Sequence, residues 1–313
     1  MKILVTGGAG FIGSNLVKAL LDRDDIHLVR VLDNFATGHL SNIEEFLDNP
    51  RFELVEGDIR NIDDCLKACN GIDAVSHQAA LGSVPRSIAD PINSHNVNVN
   101  GFLNMLEAVR AKGIKRFVYA SSSSVYGDLN ESPKVETRVG KVLSPYAATK
   151  MTNELYAEAY SKNYNLTIAG FRYFNVFGPK QDPNGPYAAV IPLFMKAAKT
   201  NVPPTINGDG SITRDFTPVV NVVNMNILGL TGNLEGSKHY VFNVACGATT
   251  DLLSIWNMIK EITGSTVDPI FGAIRNGDIL FSLADVSLAN EVLGYEPDGD
   301  LGKALAQLAA LSL

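Results

Sequence analysis

The segment Thr6-Gly7-Gly8-Ala9-Gly10-Phe11-Ile12-Gly13 limits what this chain can become more than any other. It follows Ile3-Leu4-Val5, a short run with the pattern of a buried strand, and it opens an amphipathic stretch from Ser14 to Leu21. Strand, glycine-rich turn, helix is the context in which a glycine spacing signals a dinucleotide. Glycines let the backbone approach a pyrophosphate, and the start of the helix offers unpaired N–H groups and the positive end of its dipole. The spacing here is Gly7-x-x-Gly10-x-x-Gly13, not the commoner G-x-G-x-x-G.

Val29 to Asn34 reads as a second strand ending in an acid, Asp33, 20 residues past Gly13. A carboxylate at that distance suits the adenosine ribose hydroxyls and repels a 2′-phosphate, which favours NAD over NADP. Phe35-Ala36-Thr37-Gly38 is expected to continue along the adenosine half. Phe52 to Ile59 is a third strand, ending in Asp58, placed to meet the adenine edge. Ile62 to Ala68 is helical, Ala74 to Ala80 is a fourth strand running into a loop, and a long helix is expected from about Asn93 to Ala111. Lys115 to Ala120 forms a fifth strand and Thr167 to Tyr173 a sixth. Strands alternating with helices at this rhythm predict an α/β fold with a doubly wound parallel sheet. His77 lies in an apolar stretch with no second ligand nearby and reads as a satisfied buried histidine.

After Asn175 the rhythm changes, and the loop-rich run Gly178 to Pro186 marks a boundary. Residues 1–175 are expected to form the dinucleotide-binding unit, with a return segment near 216–235. Residues 176–313 are expected to form a smaller mixed α/β lid over the sheet edge, with Tyr240 to Val244 among its strands and Leu252 to Ile262 among its helices.

The fifth strand delivers Ser121 to Ser124 at its carboxyl end, where open parallel sheets place their active residues. Tyr146 and Lys150 follow, four apart, so on a helix they share one face. A free tyrosine is a poor base near neutrality, and an adjacent ammonium favours its phenolate. A tyrosine tuned in this way can take a proton from an alcohol and return it.

The net charge of -7 argues against general nucleic-acid binding. Cys65, Cys69 and Cys246 make no disulfide framework and no metal spacing; they read as reduced thiols of a cytoplasmic protein. Met1-Lys2 leads into only three apolar residues, which is not a leader pattern, and no stretch is long and apolar enough to span a bilayer.

Together, Gly7, Gly10 and Gly13, Asp33, Asp58, the serine run and the Tyr146/Lys150 pair resemble the extended short-chain dehydrogenase/reductase superfamily over nearly the full length. More narrowly, His77 to Ser87, Arg172 to Gly178 and Gln181 to Gly185 resemble the NDP-sugar 4-epimerases, with the UDP-N-acetylglucosamine 4-epimerases as the nearest branch. The resemblance implies a Rossmann sheet holding NAD through Gly7, Gly10, Phe11, Ile12, Asp33, Asn34, Thr37, Gly38, Asp58, Ile59, Gln78, Ala79, Ala80, Tyr146, Lys150 and Tyr173. It implies that Tyr146 as phenolate takes the proton from the sugar O4 while hydride passes from C4 to the nicotinamide. The 4-keto sugar then turns over, and hydride returns to its other face. Lys150 would lower the Tyr146 pKa and bond the nicotinamide ribose. Ser122, four before Tyr126, matches the family's catalytic serine, with Ser123 beside it.

For a UDP-sugar the resemblance implies contacts from Gly82, Ser83, Ser122, Ser123, Tyr146, Asn175, Ala189, Val190, Thr205 and Asn207. Arg214 and Arg275, with Asp278 near the second, match the diphosphate clamp, which suits the paired donors of guanidinium. Ser282 matches the gate beside the C2 substituent, where a serine leaves room for an N-acetyl group. Sugar 4,6-dehydratases need an acid where this chain has Ser123 and Ser124, so dehydration is disfavoured. The chain departs from the family at Leu280 and Phe281, and at Thr217 to Val222. A homodimer is expected through helices near Asn93–Ala111 and Thr149–Lys162. Two other outcomes suit the same residues: a nucleotide-sugar reductase or decarboxylase, and a non-catalytic NAD sensor.

Overall fold

The computed structural model describes residues 1–184, 188–273 and 281–311. The first strand, β1 (Lys2–Thr6), runs into helix α1 (Phe11–Leu21) through the glycine turn, and β2 (Leu28–Asp33), β3 (Phe52–Glu56) and α2 (Ile62–Ala68) follow. The chain continues through β4 (Ala74–His77), α3 (Gly101–Ala111), β5 (Arg116–Ser122), α4 (Pro145–Tyr164) and β6 (Thr167–Tyr173). Helix α5 (Val219–Thr231) and strand β7 (His239–Val244) then return to the same unit. Seven strands make one parallel sheet in the order β7-β6-β5-β4-β1-β2-β3.

The apolar runs behave as strands buried on both faces should. Ile3 and Val5 of β1 enter a core with Leu16, Val17 and Leu20 of α1 and Val222 of α5. Leu4, between them, points into the opposite core with Phe102, Met105 and Leu106 of α3. Register brings the carboxyl ends together: Thr6 lies opposite His77, His77 opposite Tyr119, and Ser122 opposite Tyr173.

Two expectations are corrected. Strand 239–244, expected in the lid, is the seventh strand of the main sheet, paired with β6 from His239↔Ile168 to Val244↔Tyr173. The chain crosses back once α5 has covered the sheet, and β7 completes the edge that β6 would leave open. The helix expected from Asn93 begins at Pro91, capped by the Asp90 side chain, and is interrupted by a wide turn over Asn96–Asn100. Within that turn the Asn98 amide bonds both backbone groups of Leu81 and the Thr149 hydroxyl, contacts that replace regular winding.

A separate core lies outside the sheet, built on Phe177, Ile191, Phe194, Trp256 and Ile259. Small strand sets accompany it, 205–207 with 270–272 and 213–214 between 250–251 and 281–282, and Ile206 of the first belongs to this core. Among the described residues no helix is long and apolar enough to cross a membrane.

Candidate active site

The glycine turn is shaped by contact. Gly7 has φ +68°, and a Cβ there would sit 2.7 Å from the Ala79 amide nitrogen. A Cβ on Gly13 would lie far inside van der Waals contact of the Gly7 carbonyl oxygen. Gly10 caps α1 with no side-chain acceptor, so the first amides of the helix keep their donors for a ligand. Asp33 anchors the turn: one carboxylate oxygen accepts from the Ala9 amide (2.9 Å) and the other from Phe35 (2.8 Å). Burial raises its pKa, and those bonds partly offset the shift. Asp58 is fixed by the Arg60 guanidinium (2.6 Å) and the Asn34 amide (2.8 Å), and is held down to about 2, chiefly by Arg60.

These groups open on a cleft of about 520 Å³ along the carboxyl edge of the sheet. All sixteen positions expected to hold a dinucleotide line it, from Gly7, Asp33 and Asp58 at one end to Tyr146, Lys150 and Tyr173 at the other. Acidic acceptors, a turn carrying Gly7, Gly8 and Gly10 and an uncapped helix start fit the two ends of NAD and its pyrophosphate.

At the inner end, Ser144 caps α4 by accepting from the Ala147 amide and Pro145 starts the helix, which sets the turn carrying Tyr146. The Ser122 hydroxyl acts on the Tyr146 phenol and favours its ionised form. The Lys150 ammonium donates to the Ala120 carbonyl (2.7 Å) and lies 5.9 Å from the Tyr146 ring centroid. Burial lowers Lys150 to about 8. The expected depression of Tyr146 by Lys150 is not what the protein alone displays. Burial raises the phenol, and only Ser122 offsets it, because the ammonium is turned to a backbone carbonyl. Ser122 lines the cleft; Ser123 lies outside its lining and begins the short turn Ser123–Tyr126. His77 is buried, bonded to the Thr6 hydroxyl (2.8 Å) and packed against Phe102 and Phe117, and is pushed down to about 3 by burial.

The positions expected to hold a sugar nucleotide divide. Gly82 and Asn175 line the cleft, and the Asn175 amide donates to the Asp215 carbonyl (3.0 Å). The Ser83 hydroxyl caps a short helix by accepting from the Arg86 amide. Ala189 caps the helix that begins at Val190, with no side-chain acceptor at its start. Thr205 and Asn207 share the strand paired with 270–272. Arg214 and Ser282 are direct register partners. Arg275 and Asp278 lie outside the described residues.

Three acidic or basic groups were missed. Glu154, eight after Tyr146 on the same helix face, forms a buried ion pair with Arg172 (2.7 Å) and accepts from Ser121 (2.6 Å). The spacing of four after Lys150 could have found it. Asp215 is fully buried, between Arg214 and Phe216, and nothing in its mixed polar surroundings in the sequence signals that burial. Arg60 follows Asp58 by two residues and also lines the cleft. Among the described residues no group of three His, Cys, Asp or Glu could hold a metal ion.

The NAD dependent epimerase/dehydratase family model matches residues 3–245. A UDP-glucose 4-epimerase of Mycolicibacterium smegmatis is 37% identical over 309 residues, covering 98% of this chain and 97% of that protein. Among solved structures, a UDP-N-acetylglucosamine 4-epimerase from Methanobrevibacter ruminantium, in complex with UDP-N-acetylmuramic acid, superposes with a TM-score of 0.91 at 36% identity, covering 98% of this chain and 96% of that one. The Thermus thermophilus UDP-glucose 4-epimerase in complex with NAD gives a TM-score of 0.87 at 32% identity, covering 99% and 98%.

Proposed function

The chain belongs to the NAD dependent epimerase/dehydratase family, and from that premise we propose that it inverts C4 of a UDP-hexose, with UDP-GlcNAc and UDP-GalNAc as its first pair and UDP-Glc and UDP-Gal as its second. One observation carries this reading: Tyr146, Ser122 and Lys150 together line the inner end of the cleft whose outer end has the shape for NAD. Bound NAD supplies the acceptor and donor for the C4 hydride. Tyr146 removes the proton from O4 and returns it, and Ser122 orients the same oxygen. Lys150 contributes a positive charge fixed by the Ala120 carbonyl. Arg214 holds the diphosphate from the small strands outside the main sheet, and Asn175 turns toward the sugar nucleotide. Ser282, beside Arg214 in register, leaves room for an acetamido group.

The same reading includes a homodimer. Ile88 (63% exposed), Ile92 (74%) and Leu155 (65%) offer apolar side chains near α4, and sedimentation velocity tests it; a single species at monomer mass would exclude the dimer.

The decisive assay incubates the protein with UDP-GlcNAc and UDP-glucose separately and resolves products by C4 configuration. Epimer formation with no net NADH is expected. Accumulating NADH would favour a decarboxylase, net NADH consumption a reductase, and retained NAD with no conversion of any UDP-sugar a sensor.

A further inference from the structure

Behind the cleft wall, four buried or half-buried polar side chains close a ring. Asn226, on α5 and fully buried, donates through Nδ2 to the Val222 carbonyl (2.8 Å) and to the Tyr173 hydroxyl (2.8 Å). Its Oδ1 accepts from Ser76 (2.9 Å) and from Gln78 Nε2 (2.9 Å). Gln78 Nε2 also donates to the Ser76 hydroxyl (2.9 Å), and Gln78 Oε1 accepts from the Tyr173 hydroxyl (3.1 Å).

The direction of every bond follows from one group. A backbone carbonyl can only accept, so the Asn226 atom facing Val222 is the amide nitrogen. Its other atom is then the acceptor, and the Gln78 atom facing it must be nitrogen. The Gln78 oxygen therefore faces Tyr173, whose hydroxyl must donate. Gln78 Nε2, Ser76 Oγ and Asn226 Oδ1 stand 2.9 Å from one another, so one Gln78 hydrogen is shared between the two acceptors and the other stays outside the ring, while the Tyr173 hydrogen is consumed inside it. Gln78 and Tyr173 line the cleft, and Asn226 does not. That stretch of wall therefore holds one fixed arrangement, with Gln78 Nε2 on the Ser76 side and Gln78 Oε1 facing the Tyr173 hydroxyl.

We infer that Asn226 is a positioning residue for NAD: anchored on the Val222 carbonyl, it fixes which way the Gln78 amide and the Tyr173 hydroxyl face, so that the cleft wall meets the dinucleotide with one set arrangement of donor and acceptor. The inference rests on the cleft being the NAD site. Released from Asn226, the Gln78 amide can rotate and exchange the places of its oxygen and nitrogen.

The test is NAD binding to nucleotide-stripped protein, measured calorimetrically. Asn226→Leu, similar in shape, is expected to weaken binding about tenfold. In a Gln78→Leu background the same change is expected to cost less than about twofold, because the group it orients is gone. A merely structural role moves both backgrounds equally, and that result, or wild-type affinity in Asn226→Leu, overturns the inference. Should Asn226→Leu fail to fold, Ser76→Ala removes one oxygen from the ring and is expected to cost about threefold; no change there overturns it equally. Wild-type protein that binds no NAD brings down the cofactor reading itself.

Discussion

At Asp215 two effects oppose each other, and the balance can be measured. The carboxylate is fully buried and accepts from the backbone amides of Cys246 (2.9 Å), Gly247 (3.0 Å) and Ala284 (3.3 Å). Burial disfavours the charge and the amides favour it. Burial prevails, and the pKa is pushed up from 3.8 to about 6. The native state therefore holds its proton more tightly than the unfolded chain. Stability from this group is fully present below pH ~4 and is lost as pH rises through ~6. A shift of about two units corresponds to about 3 kcal/mol. Asp215→Asn keeps an acceptor for the amides and removes the titration. Urea unfolding of both proteins between pH ~4 and ~7 should show the wild type losing about 3 kcal/mol relative to the variant as pH rises. Taking the difference removes the slopes of other groups, including His77. Parallel curves would refute the argument. A wild type that gains relative stability with rising pH would show that the three amides outweigh burial.

Tyr146→Phe removes the proposed base and should lower kcat about 10³-fold while calorimetric NAD affinity stays within about twofold; a loss in kcat under tenfold would remove Tyr146 from the chemistry. Gly13→Ala places a methyl group against the Gly7 carbonyl, so the purified variant should release no nucleotide on denaturation; full NAD content would contradict the tight turn. Ser282→Tyr should abolish turnover of the acetamido sugars and spare UDP-glucose, read from parallel kinetics, and equal loss of both counts against the gate.

The sheet was legible because each of its first six strands is a short apolar run bounded by turn chemistry, and Ile62–Ala68 and Thr167–Tyr173 match to the residue. The glycine turn and Asp33 were legible because their role depends on local spacing. Strand 239–244 was misplaced because its sequence says only that it is buried; its partner, β6, is some 70 residues earlier, and only register in three dimensions assigns it. The wide turn at Asn96–Asn100 depends on Leu81 and Thr149 finding the Asn98 amide, which no helical periodicity encodes. Asp215 and Asn226 escaped for the same reason. Each looks like an ordinary polar residue until the backbone groups that it satisfies are known.

The Tyr146/Lys150 pair shows most clearly what spacing leaves open. Four residues of helix bring the two groups to one face, but spacing cannot say whether burial or charge governs them. In the protein alone burial governs both: the phenol is raised, the amine is lowered to about 8, and the ammonium is engaged by the Ala120 carbonyl. At neutral pH the resting pair is a phenol beside an ammonium, and the phenol is no base. A further positive charge in the cleft favours the phenolate, and the oxidised nicotinamide ring carries one. On the proposed role of Tyr146, its base form would belong to the loaded cleft, and cofactor occupancy would precede proton removal from O4. Retaining NAD between turnovers would then preserve the base as well as the hydride carrier. Absorbance titration of stripped and NAD-loaded protein, each differenced against Tyr146→Phe, should show the phenol ionising at lower pH in the loaded form. Coincident curves would leave the activation of Tyr146 without an electrostatic source in this chain.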